Sequence, residues 1–380
     1  MPNHGVKLIK KDNGQRLLRL VKERGPISRA DLVKETRLGK ATVSSLIQEL
    51  IDAKFLRETG KGESSGGKPP TILEFLPDAA YGIGVDISTE RKIHLVLCDL
   101  NATILSEKML ATGIGWEKIF SDIETGISEI LSSFPKKKIR GIGLAASGIV
   151  DPKENEILYS THFDYPRRGL AARLRKKFAL PVFVENVMNS SAWFEKRNGR
   201  FPGARNLLYV TAQRGVGAGV ILEDKIFYGN HLGAGQIGNL IAFPREGVLS
   251  YPPEEALEEQ LGEEAILKRI GAQVTLEEAL ERYRSGEPRA NEVFRRSAEM
   301  LAYPVAAISS FFNPAVVVLS GRFRDYGEKF LGDFENVFKR RLLPVFADET
   351  SVLLSEFGRE IGPLGAAGIV IEKILNLEMD

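Results

Sequence analysis

Two stretches of this 380-residue chain carry side chains whose types and spacing are able to do chemistry. Lys40, Thr42, Ser44, Ser45 and Gln48 interleave with Val43, Leu46, Ile47, Leu50 and Ile51, a spacing that puts the polar set on one face of a helix and the apolar set on the other. Short polar side chains reach base edges in a DNA groove without clash, and a Gln amide can bond adenine through both its groups. Lys40, at the start, suits a backbone phosphate, a contact that positions a protein without reading sequence. A solvated helix face would look the same, so the surroundings have to decide. The second stretch, Gly215-Val216-Gly217-Ala218-Gly219, reads as a glycine-rich turn between two strands, where backbone N–H groups can approach phosphates. Glycines also serve tight hairpins, so this spacing alone is a weak signal.

The charge distribution favours the nucleic-acid reading of the first stretch. Residues 1–70 carry 15 Lys and Arg against 8 Asp and Glu, whereas the remainder carries 37 against 42. A basic head of +7 therefore precedes an acidic body of −5, an asymmetry that the overall net charge of +2 hides. Lys61 and Lys68, in a loop beyond the polar helix, suit the DNA backbone or minor groove. The composition, 43% hydrophobic and 27% charged, excludes a disordered or fibrous chain. No apolar run approaches the length of a membrane span, and the start of the chain lacks a secretory signal, so a cytoplasmic location is expected. The single cysteine, Cys98, excludes an intrachain disulfide and a cysteine-cluster metal site.

Leu17, Leu18, Leu20 and Val21 predict a helix ended by Gly25-Pro26. Ser28 reads as the N-cap of a second helix, with Asp31 three positions on and with Leu32 and Val33 on its buried side. Leu38-Gly39 then turns the chain into the polar-faced helix. Three helices with a tight turn between the last two make a helix-turn-helix, whose final helix enters the major groove. Phe55–Thr59 and Thr71–Phe75 can pair as the strands of a wing, completing a head over residues 1–70. In the body, the apolar strand Tyr81–Ile87 carries Asp86 near its end, and Ile93–Leu100 follows as its hairpin partner. Further strands at 139–145 and 180–184, with helices near 116–133 and 168–178, give a first lobe over residues 71–190. A second lobe spans 191–364, and a last helix at 365–380 returns to the first.

Ile27–Leu32, Ala41-Thr42-Val43-Ser44 and Ser65-Gly66-Gly67-Lys68-Pro69 together resemble the winged-helix head of the ROK family of repressors, open reading frames and sugar kinases. The rest of the chain resembles that family too, in particular its xylose-repressor and N-acetylglucosamine-repressor type. The resemblance implies a two-lobed, actin-like α/β sugar-kinase fold behind an N-terminal winged helix-turn-helix. In that fold Asp86 would help hold a metal-nucleotide, Gly215, Gly217 and Gly219 would face its phosphates, and Gly321, ending the segment Asn313–Gly321, would lie beside the adenosine.

At the positions of the family's chemistry, however, this chain departs from the pattern. Phosphorylating a sugar hydroxyl needs a carboxylate to take its proton. The family keeps that base in an Asn-Asp pair, which reads Asn186-Val187 here. The Glu-Ile-Gly-His motif that binds sugar and zinc reads Gln236-Ile237-Gly238-Asn239. Where the family places three zinc-binding cysteines, this chain has Leu249, Tyr251 and Ala256, so no metal is expected. The Asp-Ile-Gly-Gly-Thr phosphate loop reads Asp86-Ile87-Ser88-Thr89-Glu90, with Glu90 acidic where a triphosphate would lie, although Arg214 would offset it. The nucleotide site is read as vestigial, with no cofactor.

What the resemblance leaves is a cleft of Ser147, Gly148, Glu185, Asn186, Gln236, Asn239 and Glu258, whose amides and carboxylates suit sugar hydroxyls. It implies a sugar-responsive repressor of carbohydrate-utilisation genes whose partners are a sugar effector, a double-stranded DNA operator and a second copy of the chain, as a dimer or a tetramer. The competing reading is a ROK-type hexose or N-acetylhexosamine kinase, ATP-dependent, with a fused head. A third is a DNA-binding protein whose body only dimerises.

Overall fold

A computed structural model describes residues 2–61, 70–89, 91–113, 115–160, 169–212, 215–242, 255–271 and 273–378. The chain begins with α1 (Pro2–Arg24), β1 (Ile27–Ser28), α2 (Arg29–Thr36), α3 (Lys40–Asp52), β2 (Leu56–Lys61) and β3 (Thr71–Phe75). Ser28 caps α2 as its sequence suggests. Its Oγ accepts the Asp31 N–H at 3.1 Å and donates to the Asp31 carboxylate at 2.6 Å, which holds that carboxyl below its ordinary value. Arg37, in the left-handed region at φ 58°, ends α2 and swings the chain into α3. Leu17, Leu18, Val21, Leu32, Val43, Leu46, Ile47 and Leu50 are buried together, so the apolar stripe of α3 faces α1 and α2.

The strand order of the head sheet is β1-β3-β2. β2 and β3 are antiparallel, with Arg57 paired to Glu74 at 2.7 Å. The sheet of the head therefore runs to Phe75, past the expected boundary at residue 70, because Leu73 and Phe75 are needed to cover the three-helix core.

The body contains two five-stranded sheets of one topology. The first lobe is β4 (Tyr81–Asp86), β5 (Lys92–Cys98), β6 (Ile104–Ala111), α4 (Trp116–Ser133), β7 (Ile139–Ala146), β8 (Ile149–Asp151), β9 (Glu156–Tyr159), α5 (Leu170–Phe178), β10 (Val182–Asn186) and α6 (Val187–Asn198). The second is β11 (Leu207–Ala212), β12 (Val216–Leu222), β13 (Lys225–Ile226), α7 (Leu257–Leu261), α8 (Glu263–Ile270), α9 (Leu276–Arg284), α10 (Pro288–Phe312), β14 (Val316–Gly321), α11 (Arg322–Arg341), α12 (Pro344–Glu349) and β15 (Ser351–Leu354). Strand orders are β10-β7-β4-β5-β6 and β13-β12-β11-β14-β15. In each, an antiparallel meander lies on one side of the first strand and two parallel strands on the other.

The last helix, α13 (Ile361–Leu375), returns to the first lobe, starting at Ile361 ahead of the expected Gly365. It lies directly on β4 and β7, where there is no room for side chains. A Cβ on Gly84 would come within 1.9 Å of the Pro363 carbonyl oxygen, and one on Gly143 within 2.0 Å of the Ala366 carbonyl oxygen. Among the described residues no helix is long and apolar enough to cross a membrane.

Candidate functional site

On the head, Lys40, Thr42, Ser44, Ser45 and Gln48 are all exposed along α3, while Val43, Leu46, Ile47 and Leu50 turn inward. Two of the polar groups already have partners on their own helix: Gln48 Nε2 donates to Asp52 Oδ1 at 2.9 Å and Ser45 Oγ to Glu49 at 3.4 Å. Lys68 lies outside the described residues.

The cleft residues fall into two groups on opposite lobes. On the first lobe, β7 ends at Ala146 and the chain passes through Ser147 and Gly148 into β8. Gly148 has φ 96°, and a Cβ there would sit 2.0 Å from the Tyr159 carbonyl oxygen, so only glycine fits. Its own carbonyl accepts from Asn186 Nδ2 at 2.6 Å. Asn186 is the N-cap of α6, its Oδ1 accepting the N–H groups of Met188 at 2.8 Å and Asn189 at 3.2 Å. One amide side chain thus fixes both the helix start and the Gly148 turn. Ser147 stays half-buried, with its hydroxyl 3.4 Å from that of Ser160.

Glu185 differs from the expectation. It is 3% exposed and its oxygens are occupied. Oε1 accepts from the Asn186 N–H at 2.8 Å and from Asn189 Nδ2 at 3.3 Å, and Oε2 accepts from the Tyr228 hydroxyl at 2.6 Å. Burial pushes its carboxyl above the ordinary value against those hydrogen bonds. Tyr228 belongs to the second lobe, following β13, so this carboxylate ties the lobes together and is not a free ligand for a sugar hydroxyl. Tyr228 was invisible to sequence reading because no local motif surrounds it.

On the second lobe, Gln236 and Asn239 are exposed on a loop pinned to its neighbours by Ala218 N–H to Gly235 O at 2.9 Å and Glu258 N–H to Gly238 O at 2.9 Å. A Cβ on Gly215 or Gly238 would come 2.7 Å from Glu258 Oε2, so both glycines make room for that carboxylate. Gln236, Asn239 and Glu258 are therefore neighbours on one wall. The two walls meet where Gly233 approaches Ile149.

The glycine-rich segment is not a turn. Gly217 and Gly219 lie inside β12, and a Cβ on them would strike Met188, at 3.2 Å from its side chain and 2.3 Å from its carbonyl oxygen respectively. Their period of two keeps one strand face bare so that the first turn of α6 can rest on it. Gly215 faces Glu258, a carboxylate, which is poor company for a phosphate. Gly321, at φ 60°, ends β14 against Thr211 and Ala212. Beside it opens a cavity of about 1170 Å³ in which Arg322 is already paired to Glu263 at 2.5 Å. Asp86 is buried, accepts the Ser88 N–H at 2.7 Å and is pushed above its ordinary pKa by burial. Glu90 and Arg214 lie outside the described residues.

A model of the ROK family matches residues 82–373. The chain belongs to the ROK family. It is 27% identical to the xylose repressor of Bacillus spizizenii, over 97% of both chains, and 24% identical to the DNA-binding transcriptional dual regulator NagC of Escherichia coli, over 98% of this chain and 95% of the other. A solved ROK family transcriptional regulator, a homologue of the E. coli MLC protein, superposes with a TM-score of 0.83 at 21% identity over 97% of both chains. A ROK glucokinase from Streptomyces griseus, solved with glucose and AMPPNP, gives 0.66 at 26% identity. It covers 76% of this chain and 99% of its own.

The donor set does not fit the zinc that some ROK proteins carry. Asn239 offers an amide and Ala256 a buried methyl group where thiolates and imidazole are needed; Leu249 and Tyr251 lie outside the described residues. Val187, which the sequence reading sets where the ROK family keeps its base, is 4% exposed and packs with Ala145, Ala366 and Met188.

Proposed function

We propose that this ROK protein is a sugar-responsive, DNA-binding transcriptional repressor in which a phosphotransferase cleft has become a sensor. The observation that carries the reading is the pairing of an exposed polar α3 on a capped helix-turn-helix with an apolar, buried residue, Val187, where the family resemblance expects the kinase base. Relatives of full length named as repressors of xylose and N-acetylglucosamine support it. In this reading Lys40 and Lys68 contact phosphate and Thr42, Ser44, Ser45 and Gln48 face bases. Ser147, Gly148, Asn186, Gln236, Asn239 and Glu258 line the sugar site, with Glu185 holding it in shape. The chain works as a homodimer in the cytoplasm, its two heads on half-sites about 34 Å apart or a multiple of that.

A sugar drives release only by binding one arrangement of lobes and heads better than another. Thermal shift with D-xylose, D-glucose and N-acetylglucosamine, followed by footprinting upstream of the protein's own gene, tests the reading. A sugar that both raises the melting temperature and moves the footprint supports it. ATP consumption with any of these sugars above about 1 per second overturns it in favour of a kinase with a fused head. DNA binding that no sugar alters would reduce the body to a dimerisation device.

A further inference from the structure

Among the described residues, α1 of the head meets α13 of the body at a charged joint. From α1, Arg19 donates to Glu372 Oε1 at 2.5 Å and to Asn376 Oδ1 at 2.7 Å, and the Gln15 side chain donates to the Asn376 carbonyl. Leu17 and Leu18 share a core with Ile371, Ile374 and Leu375 of α13. The same oxygen of Glu372 accepts from Arg197, near the end of α6, at 3.1 Å. Glu372 is 18% exposed and Arg19 24%, so this is not a solvated surface pair. Lys22 adds a third cation, drawn below its ordinary pKa chiefly by burial, with Glu372 acting against that shift. One carboxylate oxygen thus holds two guanidiniums from two other helices, with the buried Lys22 ammonium adding positive charge nearby.

The two helices that meet there pack against sheets of different lobes. α13 is seated on the first-lobe sheet through Gly84 and Gly143. α6 starts at the Asn186 cap in the cleft and rests on second-lobe strand β12 through Gly217 and Gly219. Between the helices, a Cβ on Gly365 would stand 2.7 Å from the Ser190 backbone, so the two meet backbone to backbone. A change in the angle between lobes would displace α6 relative to α13 and so change the distance from Arg197 to Glu372.

We propose that Glu372 is the positioning residue that couples the lobes to the head, by sharing one carboxylate oxygen between Arg197 of α6 and Arg19 of α1. Where α6 withdraws Arg197, Arg19 has the carboxylate to itself and the head docks more firmly; where Arg197 approaches, the two guanidiniums compete and the head loosens. This deepens the sensor reading and rests on it for the signal, though not for the joint itself.

Amide hydrogen exchange of the full chain without any sugar tests the joint, read at residues 14–24 of α1, with β4 and β7 as internal reference. Glu372→Gln should speed exchange in α1 about tenfold or more and leave β4 and β7 as they were. Arg19→Ala should do the same. Arg197→Ala, a change on another helix, should slow exchange in α1 by about twofold or more, and in the background of Arg19→Ala it should have no effect there. Unchanged α1 exchange in Glu372→Gln or in Arg197→Ala overturns the proposal, as does equal acceleration in β4 and β7. Because no sugar is present, this result is independent of the thermal-shift panel, which alone decides whether the cleft takes one.

Discussion

The Tyr228 hydroxyl and the Glu185 carboxylate, 2.6 Å apart, join the second lobe to the floor of the first. Glu185 also takes the Asn186 N–H, so the bond reaches the residue that caps α6. A hydrogen bond to a buried carboxylate contributes about 1.5–3 kcal/mol. Tyr228→Phe should remove that and raise the Glu185 pKa further, since burial already pushes it up and the Tyr228 bond opposes the shift. A carboxyl raised in the folded state contributes stability at low pH that is lost as pH rises. The deficit of the Phe variant should therefore grow from pH 5 to pH 8, which thermal denaturation at the two values will read.

Glu195, on α6, offers a clearer titration. Its Oε2 accepts from Ser355 at 2.7 Å, its Oε1 is buried without a hydrogen bond, and desolvation raises its pKa from 4.5 to about 7. Stability from this group is complete below about pH 4.5 and is lost as pH climbs to about 7, a change of about 3 kcal/mol at most. Glu195→Gln cannot titrate. Its melting temperature, plotted against pH from 4.5 to 8, should lack the fall that wild type shows in that window; parallel curves would contradict the assignment.

Much of this was legible in the sequence because it is local. The α3 stripe, the Ser28 cap and the hairpins of both lobes are set by side-chain period and turn residues within a few positions. The contacts that define the site are not local. Tyr228 meets Glu185 and Arg19 meets Glu372 only after the sheets have formed. Gly217 and Gly219 show the limit from the other side: their spacing fits a phosphate turn as well as a strand that must accept a helix, and only the position of Met188 decides.

Gly219→Ala discriminates between those two roles. Its methyl group would have to displace the Met188 carbonyl, 2.3 Å away, and overpacking of that kind typically costs about 1–3 kcal/mol. The variant should melt several degrees below wild type whether or not nucleotide is present. A variant of wild-type stability would return the glycine to a phosphate-binding role.

Val187→Asp puts a carboxylate where the family resemblance expects the kinase base, yet the position is enclosed by Ala145, Ala366 and Met188. A carboxylate there has apolar neighbours, so it should destabilise the protein by about 1–3 kcal/mol or more and remain largely protonated. Turnover with ATP and D-glucose should stay undetectable in this single variant. Substantial phosphorylation would show that the rest of the cleft is still a kinase.

Gln48 and Lys40 should fail in different ways. Both are exposed on α3, but Gln48 is held by Asp52 in the free protein, so its amide is pre-set at the helix surface and must exchange one partner to reach a base. If it reads an edge, Gln48→Ala should lose about 1–3 kcal/mol on the footprinted operator and relax selectivity at one base pair. Lys40 opens the helix after Gly39, and in the proposed reading its ammonium contacts a backbone phosphate. Lys40→Ala should weaken binding to every sequence alike and lower the salt slope by about one. Anisotropy titrations on operator and scrambled duplexes at two salt concentrations separate the patterns. Uniform loss in both variants would make Gln48 a backbone contact and move base reading to Ser44 or Ser45.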